Sequence, residues 1–131
     1  MTTLRPASRY LAACAAGLAA LAAALAAVGS HALAGHLGPA ELASFNTAVS
    51  FQFLNAVGLL GAAWVVDRLP GSRLALAAAW LLPAGVLLFC GSIYAARLGW
   101  ISSPGPTAPI GGSSVILAWA LLAVALLRGR G

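Results

Sequence analysis

The sequence predicts an all-α integral membrane protein, a bundle of four membrane-spanning helices, from three observations. Of its 131 residues, 62% are hydrophobic and only 7% are charged, where a soluble globular domain carries roughly a quarter charged residues. The mean hydropathy is +0.98. The sparse charges leave four stretches free of Asp, Glu, Lys and Arg: residues 10–40, 42–66, 74–96 and 98–127. A spanning helix needs about 20 predominantly apolar residues to cross roughly 30 Å of hydrocarbon, so each stretch holds one crossing and none holds two. Spanning strands would alternate polar with apolar residues, which the Ala/Leu run over 74–82 does not do. The length suits one domain, residues 1–131.

The first span is expected near residues 8–30. Arg5 and Arg9, the apolar run over 11–28 and Ala32-Leu33-Ala34 before Gly35 also resemble a secretory signal with its cleavage site. The 18-residue apolar core exceeds the roughly 7–15 residues of a signal's hydrophobic region, so this segment is expected to stay as a span. The connection over 31–40 holds Gly35, Gly38 and Pro39. The second span is expected near 45–67, with Glu41 close to its start, where the helix dipole favours an acid. Residues 67–73 form a short charged turn broken by Pro70-Gly71, and the third span follows near 73–97. Pro104, Pro106 and Pro109 interrupt the next connection, because proline lacks a donor and clashes with the preceding turn. The fourth span is expected near 110–128.

The net charge of +5 comes from seven Arg, no Lys, one Asp and one Glu. Arg5, Arg9, Arg68, Arg73, Arg128 and Arg130 fall on one side of a four-span topology, and only Arg97 on the other. The positive-inside rule then places both termini in the cytoplasm. These arginines sit at helix ends and are not interleaved with aromatics, so they do not form a nucleic-acid footprint. The expected surroundings are the lipid bilayer, with other membrane proteins or further copies of the chain as conceivable neighbours.

Few residues suggest chemistry. Cys14 and Cys90 are single, lie within spans and lack the Cys-x-x-Cys spacing of a thiol oxidoreductase; both read as packing residues. His31 and His36, with Glu41, concentrate titratable groups at the outer end, yet two His and one Glu in a Gly-containing loop make a weak metal set. No metal or other cofactor is expected. Trp64, Trp80, Trp100 and Trp119 read as interface anchors or packing groups, with Trp100 in the outer belt.

The second span is less ordinary. At 100° per residue, Glu41, Ser44, Ala48, Gln52, Asn55, Leu59 and Ala62 share a sector about 80° wide. Amides at mid-membrane are costly against lipid, so this stripe is expected to face the bundle interior. It reads either as interhelical hydrogen bonding, worth about 0.6 kcal/mol per contact, or as a polar path or ligand cleft. A proton-coupled exporter needs a carboxylate at depth, whereas Glu41 and Asp67 lie at helix ends. In the third and fourth spans, Gly85, Gly91, Gly111, Gly112 and Ser114 are expected to let the helix backbones approach closely, with Ser114 and Ala118 forming a small-x-x-x-small pair. Pro83 is expected to kink the third span.

Several elements then occur in a familiar order: Gly29-Ser30-His31-Ala32-Leu33, Phe51-Gln52-Phe53-Leu54-Asn55, Phe89-Cys90-Gly91-Ser92-Ile93-Tyr94, and Pro109-Ile110-Gly111-Gly112 leading to Ala118-Trp119. Over residues 10–128 the chain resembles domain-of-unknown-function family 423. That family includes small bacterial inner-membrane proteins and the eukaryotic transmembrane protein 256. Phe-x-Gly-Ser-x-Tyr and Pro-x-Gly-Gly are the specific motifs. The resemblance implies a four-helix inner-membrane protein and no established activity. The family usually has Tyr-Gln and then a His three residues after the Gln, where this chain has Phe51-Gln52 and Asn55. The family's Phe-Gly-Ala-His corresponds to Val28-Gly29-Ser30-His31, which keeps the histidine.

The resulting expectation is a non-enzymatic inner-membrane protein, an accessory or structural component. The alternative is a small permeation or ligand-binding module, with Gln52, Asn55 and Ser92 at mid-membrane and His31 and Glu41 at the outer mouth. An enzyme is not expected, since no nucleophile–base pair, metal cluster or phosphate loop stands out.

Overall fold

The computed structural model describes residues 3–129; Arg130, used above for orientation, lies outside the described residues. Helix α1 runs over Pro6–Val28 and continues into a π-helical turn over Gly29–Leu33. Helices α2, α3 and α4 span Pro39–Arg68, Arg73–Arg97 and Thr107–Arg128. All four are long and apolar enough to cross a membrane.

Helices α1, α2 and α4 begin earlier than the hydrophobic runs suggest, and proline is the reason. Pro6 and Pro39 each occupy the opening of a helix, where the missing N–H is an orphan in any case and the fixed φ already suits the helix. Pro109, expected above as a breaker, lies within the first turn of α4 for the same reason. The connection between the first two spans therefore shrinks to residues 34–38. Helix α3 continues through Pro83 without a break.

The remaining ends have specific caps. The Ser72 hydroxyl accepts from the Ala75 N–H at 3.2 Å and opens α3. At the other end, Gly99 adopts φ +79°, the left-handed conformation that a Cβ disfavours. There the Gly99 N–H donates to the Ala96 carbonyl at 3.3 Å and the Trp100 N–H to the Ala95 carbonyl at 2.8 Å. This pair of bonds is a Schellman closure, which satisfies carbonyls the helix leaves free.

Helix α1 packs mainly on α2, α2 on α3, and α3 on α4. The seam of α1 is Ser8, Leu11, Ala15, Leu18 and Ala22, all buried. Spacings of three and four repeat along it, the pattern of knobs-into-holes packing. The corresponding face of α2 carries Phe45, Ala48, Gln52, Asn55, Leu59 and Ala62, each at most 6% exposed. Of the polar stripe of the second span, Gln52 and Asn55 thus face the interior, whereas Ser44 is only partly buried and Glu41, at the helix start, is exposed. The seam of α4 is Gly111, Val115, Ala118, Leu122 and Ala125.

Between α3 and α4 the backbones come close. A Cβ added at Gly85 would stand 2.9 Å from the Gly111 carbonyl oxygen, and one at Gly111 would collide with the Phe89 backbone nitrogen. Ser114 stands over Gly85, its Cβ 3.0 Å from that added atom, and its hydroxyl donates to the Ile110 carbonyl at 2.8 Å. A Cβ added at Gly112 would meet the Phe89 ring at an ordinary 3.6 Å. Gly91, expected in the same contact, is exposed, and a Cβ there would meet nothing within 4 Å. It lies six residues past Gly85, which at 100° per residue turns it about 120° away from the contact face of α3.

Candidate functional site

Gln52 and Asn55 lie near the middle of α2, about 20–24 Å from its ends at 1.5 Å per residue. Neither is left to face lipid. Gln52 is 2% exposed, and its Nε2 donates to the Leu18 carbonyl of α1 at 2.8 Å. Its Oε1 accepts from the Tyr94 hydroxyl of α3 at 2.7 Å. One side chain thereby joins three helices. The Leu18 carbonyl has a second lone pair beside its own helical bond, so the contact costs α1 no backbone hydrogen bond.

Tyr94 is placed by packing. Its ring lies against Phe45, with centroids 5.3 Å apart and planes tilted by 54°, and Phe45 precedes Gln52 by two helical turns on the same face. One turn before Tyr94, the Cys90 thiol donates to the Ala48 carbonyl at 3.3 Å. Ala48 presents only a methyl group, which lets the sulfur reach the α2 backbone. Cys90 is therefore a helix-to-helix contact as well as a small packing residue.

Asn55 is 6% exposed. Its Nδ2 donates to the Phe51 carbonyl in its own helix at 2.9 Å, and its Oδ1 accepts from the Trp119 Nε1–H of α4 at 2.9 Å. Gly58 makes room for that indole: a Cβ there would stand 2.6 Å from Trp119 Cζ2. Trp119 thus links α4 to α2 across the flank of α3.

The other candidates lie elsewhere. Ser92 is buried, and its hydroxyl donates to the Phe89 carbonyl one turn back at 2.9 Å, apart from the amides. His31 and His36 are exposed, His31 within the π-helical turn. Glu41 lies in the first turn of α2, 3.9 Å from Arg97 Nη1. The described residues contain no group of three or more metal-ligating side chains. His31 and Glu41, at one end of the bundle, and the mid-membrane amides therefore occupy different levels.

Four participants escape sequence reasoning: Leu18, Tyr94 and Trp119 as hydrogen-bond partners, and Gly58 as the space for the indole. Gly29 is a fifth, since a Cβ there would stand 3.0 Å from Asn46 Oδ1 and 3.1 Å from the Phe45 ring. The signal for Tyr94 was present, because it ends the Phe-x-Gly-Ser-x-Tyr motif.

Residues 25–112 match the family described as protein of unknown function (DUF423). The chain belongs to this family. Among DUF423 relatives, the UPF0382 membrane protein YwdK of Bacillus subtilis is 36% identical over 110 residues, covering 84% of this chain and 89% of the relative. The UPF0382 membrane protein SERP0230 of Staphylococcus epidermidis is 31% identical, covering 86% of this chain and 91% of the relative. The UPF0382 inner membrane protein YgdD of Escherichia coli K12 is 30% identical over 124 residues, 92% of each chain. No solved structure matches. With its four spanning-length helices, this DUF423 protein is a membrane protein of the same kind as those relatives.

Proposed function

We propose that the protein is a non-enzymatic accessory component of the inner membrane, and that its mid-membrane polar residues hold the bundle together. One observation carries this reading: both heteroatoms of the Gln52 amide and both of the Asn55 amide have protein partners. A permeation path or ligand cleft would instead need some of these groups free for a solute. In hydrocarbon an amide without a partner costs several kcal/mol, about what it costs to bury one unpaired elsewhere, so a fully partnered set suits a structural task. The Cys90 thiol and Ser92 hydroxyl are likewise engaged with backbone carbonyls. His31 and Glu41 then belong to the outer surface, and both termini to the cytoplasm.

Solvent access tests this reading. Gln52→Cys and Asn55→Cys proteins in intact cells are expected to resist a membrane-impermeant thiol reagent, while His36→Cys, in the exposed loop, reacts. Both natural cysteines are replaced by alanine in this background. Labelling at position 52 or 55 in a variant that retains its helical content would establish a hydrated path and favour the permeation reading.

A further inference from the structure

We propose that the groove between the start of α3 and the end of α4 binds the phosphate headgroup of an anionic glycerophospholipid. This inference is independent of the role assigned above. The groove encloses about 510 Å³, and its lining includes Arg68, Arg73 and Arg128, together with Ser72, Leu69 and Ala125. No acidic side chain lines it. Asp67, the one acidic side chain in this part of the sequence, faces Arg5, whose backbone N–H it accepts at 3.0 Å.

Three exposed arginines from the ends of three helices line this space, and a guanidinium offers a planar fork of donors suited to phosphate oxygens. A smaller groove of about 270 Å³ on the other side of the Pro70-Gly71 turn shares Arg73 and adds Arg5, which extends the positive field.

The position favours a lipid over a soluble anion. The site lies at the ends of spanning-length helices, the level where headgroups reside. Basic pockets between helices at that level are the usual setting for anionic headgroups. Arg68 stands over the Trp64 ring at 5.4 Å from its centroid. Trp64 itself is 55% exposed, as an interfacial aromatic would be. Leu127, next to Arg128 in sequence and outside the groove's lining, is 86% exposed and leaves an apolar surface at this end of α4.

The experiment uses the full-length protein in a neutral detergent, titrated with phosphatidylglycerol or phosphatidylcholine and read by native mass spectrometry. Phosphatidylglycerol is expected to bind and phosphatidylcholine to bind at least tenfold more weakly. At about 1 kcal/mol per arginine near a headgroup, Arg73→Gln should weaken phosphatidylglycerol roughly fivefold, and Arg73→Gln/Arg128→Gln roughly thirtyfold. Arg9→Gln, which removes an exposed arginine from α1 outside both grooves, should leave it unchanged. These substitutions are at exposed positions, and helical content measured by circular dichroism confirms that the variants are folded. An equal loss in Arg9→Gln would mean diffuse attraction without a site and would overturn the proposal. Displacement of the lipid by millimolar glycerol 3-phosphate would assign the groove to a soluble phosphate compound and overturn it equally.

Discussion

The Tyr94 hydroxyl of α3 donates to Gln52 Oε1 of α2 at 2.7 Å, while the same amide's Nε2 reaches the Leu18 carbonyl of α1. The contact closes a three-helix junction at mid-membrane. Its geometry depends on Phe45, which is 0% exposed and supports the tyrosine ring.

Removing the amide should therefore loosen three helices at once. Gln52→Leu leaves the Tyr94 hydroxyl buried without its partner, a loss of about 1–3 kcal/mol. Tyr94→Phe should cost less, about 0.6 kcal/mol and at most about 1.7, the average and the maximum for hydrogen bonds between membrane helices. The double variant should be less destabilised than the sum of the two, because both remove one contact. Reversible unfolding in detergent micelles measures the cycle, and strict additivity would dissociate the two residues energetically.

Gly58 and Trp119 form a size-matched pair. Gly58→Ala places a methyl group 2.6 Å from the indole, and overpacking of this kind costs about 1–3 kcal/mol. Adding Trp119→Leu should relieve the clash, so the double variant is expected to be more stable than the sum of the two single losses. Thermal unfolding of the four proteins decides the matter. Trp119→Phe, which keeps the bulk and removes the N–H, should cost about 1 kcal/mol by leaving the Asn55 Oδ1 unpaired.

The glycines of the third and fourth helices should separate into two groups. Gly111→Ala meets backbone atoms of α3, and Gly85→Ala meets the Gly111 carbonyl oxygen. Backbone yields less readily than a side chain, so each should cost about 3 kcal/mol, the upper part of the overpacking range. Gly91→Ala meets open space and should be neutral or stabilising by up to about 1 kcal/mol, the helix-propensity difference between the two residues. Thermal midpoints in one detergent rank the three, and a Gly91→Ala loss matching that of Gly111→Ala would contradict the packing described.

The Glu41–Arg97 pair should matter little to stability. At 3.9 Å it is a long contact between a largely exposed Glu41 (52%) and a partly buried Arg97 (24%), open enough to water to be worth about 0–1 kcal/mol. Glu41→Gln should shift stability by less than about 1 kcal/mol, and the shift should shrink further in high salt. A larger loss that persists in salt would give the pair a role beyond surface electrostatics.

Orientation is open to a direct measurement. Arginines at positions 5, 9, 68, 73, 128 and 130 outnumber Arg97 at the opposite end, so a fluorescent protein fused after Gly131 should mature in the cytoplasm and fluoresce. A periplasmic alkaline phosphatase fusion at the same point should be inactive. The reverse pair of results would invert the topology.

Composition and the placement of charge were enough to establish four apolar helices in lipid, because a bilayer admits few alternatives once the charge-free stretches are counted. Helical periodicity also put Gln52 and Asn55 on the buried face of α2, since amides so far from either end have no inexpensive exposure. What periodicity could not supply was the partner of each group. Leu18 contributes a carbonyl that every residue possesses, and Trp119 belongs by type to the interface as much as to the core. Gly91 and Gly111 are identical in composition, yet one faces outward and the other meets the backbone of α3. Those distinctions depend on the rotation and closeness of one helix against the next, which are set by the interlocking of all the seams together and by no single stretch of chain.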